Sequence, residues 1–200
     1  MNSSNANSPA SRPMAERLID AVSALADVFQ KQHASYALIG GLSVAFRGNK
    51  RATEDVDFLL HAPALELPGL LEAMLAAGCQ LELTEAIRRW NSDGLLVVRW
   101  PNGVQIDLLK PVVPAFHRIL QRAREESFGD HTLRVVDAEG LLLLKLIAFR
   151  PLDQEDIRGI LLANADRLDL NWVRSEARLA GIDDERLSAF ESLVHEFYVP

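Results

Sequence analysis

The chain has 200 residues, 48% of them apolar, and a formal net charge of −7. That length suits one domain with a real core, or one domain with a small appendage. The acidic balance argues against a broad, non-specific nucleic-acid surface but leaves room for a small basic groove.

The single cysteine, Cys79, excludes an internal disulfide and fits a reducing, cytoplasmic compartment. Residues 1–13, MNSSNANSPASRP, hold no apolar stretch of the secretory type and read as a disordered leader. Leu18, Val22, Leu25 and Phe29 then follow helical spacing, widened by Ile19 and Ala26. Tyr36–Ile39 is a short buried strand ending in Gly40-Gly41, a tight turn before a short helix at 42–46. Asp55–Leu60 reads as a second strand. A helix is expected over Leu67–Ala77, with Pro68 in its first turn and Gly78 beyond its end. Leu95–Trp100 and Val104–Leu109 flank Pro101-Asn102-Gly103, a hairpin signal. A helix at Pro114–Ala123 and a strand at Thr132–Val135 follow. Four helices complete the chain: Ala138–Phe149, Asp153–Ala163, Leu170–Leu179 and Asp184–Phe197, with Asp137 and Asp183 as N-caps. The longest apolar run, in 141–149, is interrupted by Lys145 and falls far short of the roughly 20 residues of a membrane span, so no membrane partner is expected.

The pattern predicts an α+β fold: a small mixed sheet flanked by helices over 14–135, then a helical region at 136–200 packed on that core.

Asp55 and Asp57 lie two apart on a strand, so both carboxylates leave the same face while Val56 and Phe58 enter the core. Two like charges this close repel unless a cation separates them. A divalent ion held by one or two carboxylates, waters and phosphates meets that need, as would simple exposure at a strand start. Asp107 alternates with Val104, Ile106 and Leu108 and leaves the polar side of a later strand. Asp is disfavoured inside strands, so it reads either as a third carboxylate beside the pair or as a solvated acid. Three carboxylates can hold two Mg²⁺ ions for an in-line phosphoryl displacement. The Gly40-Gly41 turn lets a phosphate approach the backbone closely, and Ser43 lies in the following helical turn. Arg47, Lys50 and Arg51 bind phosphate or form a solvated loop.

The stretch YALIGGLSVAFRGNKRATEDVDFLL resembles the signature of the polymerase-β-like nucleotidyltransferase superfamily, nearest to its small bacterial AbiEii-like branch. The resemblance implies a catalytic and metal set of Asp55, Asp57 and Asp107, with Gly40, Gly41 and Ser43 at the phosphate turn. Arg51 and Thr53 are similar to the basic and hydroxyl residues that precede the acid pair in this branch. Many active relatives carry Ser where this chain has Gly41. LRVVDAEGLLLLKLIAFRPLDQEDIRGIL resembles the helical segment after the core, which places Lys145, Asp153 and Asp156 in recurring positions. Lys145 then reaches triphosphate oxygens or the two acids, or snorkels to a surface acid. The resemblance implies a transferase using a nucleoside triphosphate such as ATP, with Mg²⁺ or Mn²⁺. It leaves the acceptor open among tRNA, a protein and a small hydroxylated molecule. A non-catalytic binding module, for example half of a toxin–antitoxin pair with a partner protein, is the alternative.

Overall fold

The computed structural model describes residues 12–48, 52–164 and 167–197. The expected leader therefore lies outside the described residues except for Arg12 and Pro13, and so do Lys50 and Arg51.

In chain order the elements are α1 (Met14–Lys31), β1 (Ser35–Ile39), α2 (Gly40–Phe46), β2 (Asp55–His61), α3 (Leu67–Ala76), α4 (Leu83–Ser92), β3 (Leu95–Arg99), β4 (Gln105–Leu109), α5 (Pro114–Arg122), β5 (Arg124–Phe128), β6 (His131–Val135), α6 (Ala138–Ala148), α7 (Pro151–Asn164), α8 (Leu170–Leu179) and α9 (Asp184–Phe197). The strands form one mixed sheet in the order β3-β4-β2-β1-β6-β5. Neighbours β1 and β2 run antiparallel, whereas β2 and β4 run parallel.

Two elements escape the sequence pattern. Helix α4 buries only Ala86 and Trp90, and its start is capped by the Glu82 carboxylate, which accepts from the Thr84 and Glu85 amides. Strand β5 is an edge strand whose five residues are exposed or half-buried, so it needs no apolar alternation. Helix α2 also begins at Gly40 itself, with no separate turn before it.

Period-two alternation sorts the sheet residues into two clusters. Val56, Phe58 and Leu60 of β2 and Ile106 and Leu108 of β4 pack beneath α1, α3 and α4, where the rings of Phe29, Tyr36 and Phe58 stand 5.2–5.8 Å apart. Ala37, Ile39 and Leu59 face the other way, into a second cluster built from α5 to α9. Each fully buried Leu or Phe adds about 2 kcal/mol of burial energy. The α1 stripe is narrower than its spacing predicts: Ala26 is fully buried, but Ile19 stays 45% exposed because α1 packs on the sheet by one side only. Asp137 and Asp183 accept the N-cap bonds expected of them.

The β3–β4 turn is fastened to α1. Buried Asn102 accepts from its own turn through the Val104 amide and donates to the Arg17 carbonyl and the Asp20 carboxylate. Asp20 also accepts from the Trp100 indole at 2.9 Å. This fixes the turn that leads into β4, the strand from whose middle Asp107 projects. Asn102→Ala leaves the buried Val104 amide without its partner, and urea unfolding is expected to show a loss of about 1–3 kcal/mol.

Candidate active site

Parallel pairing sets Asp57 opposite Asp107, and Asp55 opposite Gln105. Adjacent strands lie about 4.8 Å apart, so like charges crowd one patch of the sheet. This is the face that α5 to α9 cover, and over the acids the cover opens into a cleft of about 610 Å³. Gly40, Gly41, Asp55, Asp57, Asp107 and Lys145 all line it, joined by Arg150 and Asp153. A second hollow of about 600 Å³ shares Asp55 and is lined by Arg17, Thr53, Glu54, Arg99 and Gln105.

Gly40 is required twice over. Its φ is +68°, where a side chain is strained, and a Cβ built there would overlap the Asp57 carboxylate. The first glycine thus admits the acid and turns the chain into α2 at one point. Ser43 lies outside the cleft wall. It is fully buried, and its hydroxyl donates to the Gly40 carbonyl at 2.8 Å, bracing the turn from behind. Arg47 is likewise occupied elsewhere: it donates to the Val136 carbonyl and pairs with Glu126.

The acids differ in their surroundings. Thr53 donates to Asp55 at 2.6 Å, and Gln105 donates to Asp107 at 3.0 Å. Burial, then the charges of Asp55 and Asp107, push Asp57 up to about 6, although Lys145 and Arg150 pull it down. Burial also raises Asp107, against the bond from Gln105. Among the described residues, no three His, Cys, Asp or Glu side chains are already gathered around a point where a metal ion could sit. The donor set is all oxygen and net negative. That fits a hard divalent cation taking one or two carboxylates and completing its shell with water and phosphate.

Lys145 does not snorkel to a surface acid. Its Nζ lies 3.1 Å from Asp153 and 2.8 Å from Asp156, and all three side chains are buried. Arg150 closes the group by donating to Asp153 through its backbone amide and its guanidinium. Against the cost of burial, the bonds from Arg150 and Lys145 hold Asp153 below the usual carboxylate range. The corner is set by Phe149, whose left-handed φ of 49° ends α6 and lets Pro151 start α7 at once. Arg150 was not singled out by the sequence; its position five residues after Lys145 and just before Pro151 was the available signal. Cys79 is core, and burial pushes its thiol up to about 12.

The raised Asp57 has a stability consequence. Its folded value lies above its ordinary one, so the fold favours the protonated form. Stability is lost as pH rises from about 4 through 6. Without metal, Asp57→Asn is expected to be more stable than wild type at pH 7.5 by about 2 kcal/mol, and equal to it near pH 4. Thermal melts across that range check this.

The fold and site invite comparison with known proteins. No curated protein sequence matches the chain significantly. An antigenic nucleotidyltransferase-like protein from Paracoccidioides brasiliensis superposes with a TM-score of 0.50 at 18% identity, over 88% of this chain and 93% of that one. The antibiotic-resistance factor ANT(2'')-Ia superposes with a TM-score of 0.55 at 15% identity, over 90% of this chain and 98% of that one. At such identities these likenesses establish the nucleotidyltransferase fold. The model of one family matches residues 23–196, which takes in both the acid-bearing strands and the helices behind Lys145. The chain belongs to that family, the nucleotidyl transferase AbiEii toxins of type IV toxin–antitoxin systems.

Proposed function

We propose that this protein transfers a nucleoside monophosphate from a nucleoside triphosphate, ATP included, to an acceptor hydroxyl. The observation that supports this best is the meeting of Asp55, Asp57 and Asp107 with the Gly40-Gly41 backbone and Lys145 in one cleft. In the reaction the acceptor oxygen forms a bond to the α-phosphorus and the bond to pyrophosphate breaks. Asp55 and Asp57 would hold Mg²⁺ or Mn²⁺, with Asp107 serving the ion nearer the acceptor. Such ions neutralise the phosphate oxygens and favour loss of the hydroxyl proton.

The chain supplies position and charge. Gly40 and Gly41 admit the triphosphate against bare backbone. Lys145, steadied by Asp153 and Asp156, offers positive charge to the leaving pyrophosphate. Asp107, beside the ion nearer the acceptor, would help take up the acceptor's proton. Positioning and neutralisation of this kind carry most of a phosphoryl transfer. The acceptor, whether tRNA, protein or a small hydroxylated molecule, enters by the second hollow, where Arg17 and Arg99 flank Asp55. Use of such a donor would suit a cytoplasmic protein. Among the described residues, no helix is long and apolar enough to cross a membrane.

Incubation with labelled nucleoside triphosphates, Mg²⁺ and cell extract tests the reading. Wild type is expected to leave a labelled product, and Asp57→Ala to lose at least about 10²-fold in rate. No product from wild type, or equal labelling by the variant, overturns it. Gly40→Ala is expected to lose transfer as well, because the added methyl displaces Asp57. The family also supports a toxin role opposed by an antitoxin gene. Induced expression is then expected to arrest growth, and Asp107→Asn to restore it.

A further inference from the structure

The two edges of the sheet are built differently. Strand β5 carries Arg124, Glu125 and Glu126, and charges of that kind discourage another strand from pairing. Strand β3, with the sequence LLVVR, is uncharged until its last residue. The Lys110 amide donates to the Gly94 carbonyl at 2.8 Å, and the Trp100 amide to the Val104 carbonyl at 2.9 Å. Antiparallel pairing alternates, so Leu96 and Val98 also turn their backbone groups to β4, while Leu95, Val97 and Arg99 turn theirs outward. The outward carbonyl of Arg99 accepts from the Gln80 amide at 2.8 Å. Among the described residues, nothing pairs with the outward groups of Leu95 and Val97. Val97 stands opposite Asp107, and Leu95 opposite Leu109, so both side chains lie on the acid-bearing face. They are 42% and 40% exposed. Val112, 63% exposed, continues the apolar strip against Gly94. Arg99 ends it, exposed and with a guanidinium that has no partner among the described residues.

We propose that β3 is the docking edge for a protein partner, which adds an extended peptide segment to the sheet on the side nearest Asp107. The main chain of that segment pairs with Leu95 and Val97, and its alternate apolar side chains lie against Leu95, Val97 and Val112. A carboxylate on it meets the free guanidinium of Arg99. In strand addition the main-chain bonds supply affinity and the exposed side chains supply selectivity. The strip suits a peptide better than RNA, because its aliphatic side chains offer no ring for a base to stack on and the chain carries a net charge of −7. A second copy of this chain fits poorly. Its own Gln80 already fills the edge at Arg99, which leaves only Leu95 and Val97 to pair. With strands about 4.8 Å apart, the added segment lies roughly 10 Å from β4, alongside the cleft that Asp107 and Leu109 line.

The test pans a displayed library of random peptides, about seven residues long, against the full chain with no nucleotide present. Enriched peptides are expected to alternate apolar residues and to carry an acid near one end. The tightest of them, made synthetically, is then followed by hydrogen exchange. It is expected to slow the Leu95 and Val97 amides at least about tenfold and to leave Leu96 and Val98, already bonded to β4, as they were. Val97→Lys is expected to melt like wild type and to weaken binding at least about tenfold. Val97→Pro removes the outward amide and is expected to weaken binding as well. Arg99→Glu is expected to turn the preference from an acid to a base. No enrichment over the Val97→Lys chain overturns the proposal, as does protection confined to other amides. Protection of Leu95 and Val97 by a uridine oligonucleotide in place of peptide, or by raising the concentration of the chain alone, also overturns it, and assigns the edge to RNA or to a second copy. Because no nucleotide enters this experiment, its failure leaves the proposed transfer untouched.

Discussion

Parallel pairing of β2 with β4 puts Asp57 beside Asp107, and Asp55 lies two residues back on the same face. Much of the surrounding structure answers the repulsion this creates. Gly40 leaves the space into which the Asp57 carboxylate fits. Thr53 and Gln105 each draw one of the outer acids aside. Lys145 and Arg150 stand across the cleft and pull Asp57 back toward its charged form. The compensation is incomplete, because Asp57 still lies near 6. A folded state that carries such a residue is the kind of local cost that function explains better than stability does.

The group behind the cleft follows the same physics in reverse. One buried lysine faces two buried aspartates, and Arg150 shares Asp153 from the solvent side. Isolated, each charge would be costly to bury; together they satisfy one another. The network locks the α6–α7 corner, and that corner forms one side of the cleft. Structural ion pairing and a site's positive charge are thus the same residues.

Much of this was legible in sequence. Alternation placed Val56, Phe58, Ile106 and Leu108 inward and the aspartates outward, because a strand has no other way to distribute its side chains. The nucleotidyltransferase resemblance came from the Gly-Gly and Asp-x-Asp spacing. Helix α4 was not legible, since two buried residues suffice to hold it against the sheet, although Leu83, Ala86, Ile87 and Trp90 do follow helical spacing. Nor was β5, where an exposed edge strand owes its state to its neighbour β6 and carries no pattern of its own. Ser43 was read toward phosphate and Arg47 toward phosphate or a solvated loop, but Ser43 spends its hydroxyl on the local Gly40 carbonyl and Arg47 is held by Val136 and Glu126.

The sequence by itself determined the carboxylates, the Gly40-Gly41 turn before them, and the period that puts Asp55 and Asp57 on one face of their strand and Asp107 on the polar face of its own. Those are local properties, set by backbone geometry within a few residues. Only the tertiary structure decided that β4 lies parallel beside β2, that Lys145 meets Asp153 and Asp156 in a buried group, and that a cleft opens over the acids. Each of these depends on elements dozens of residues apart being packed together, and nothing in a local pattern states which surfaces will meet.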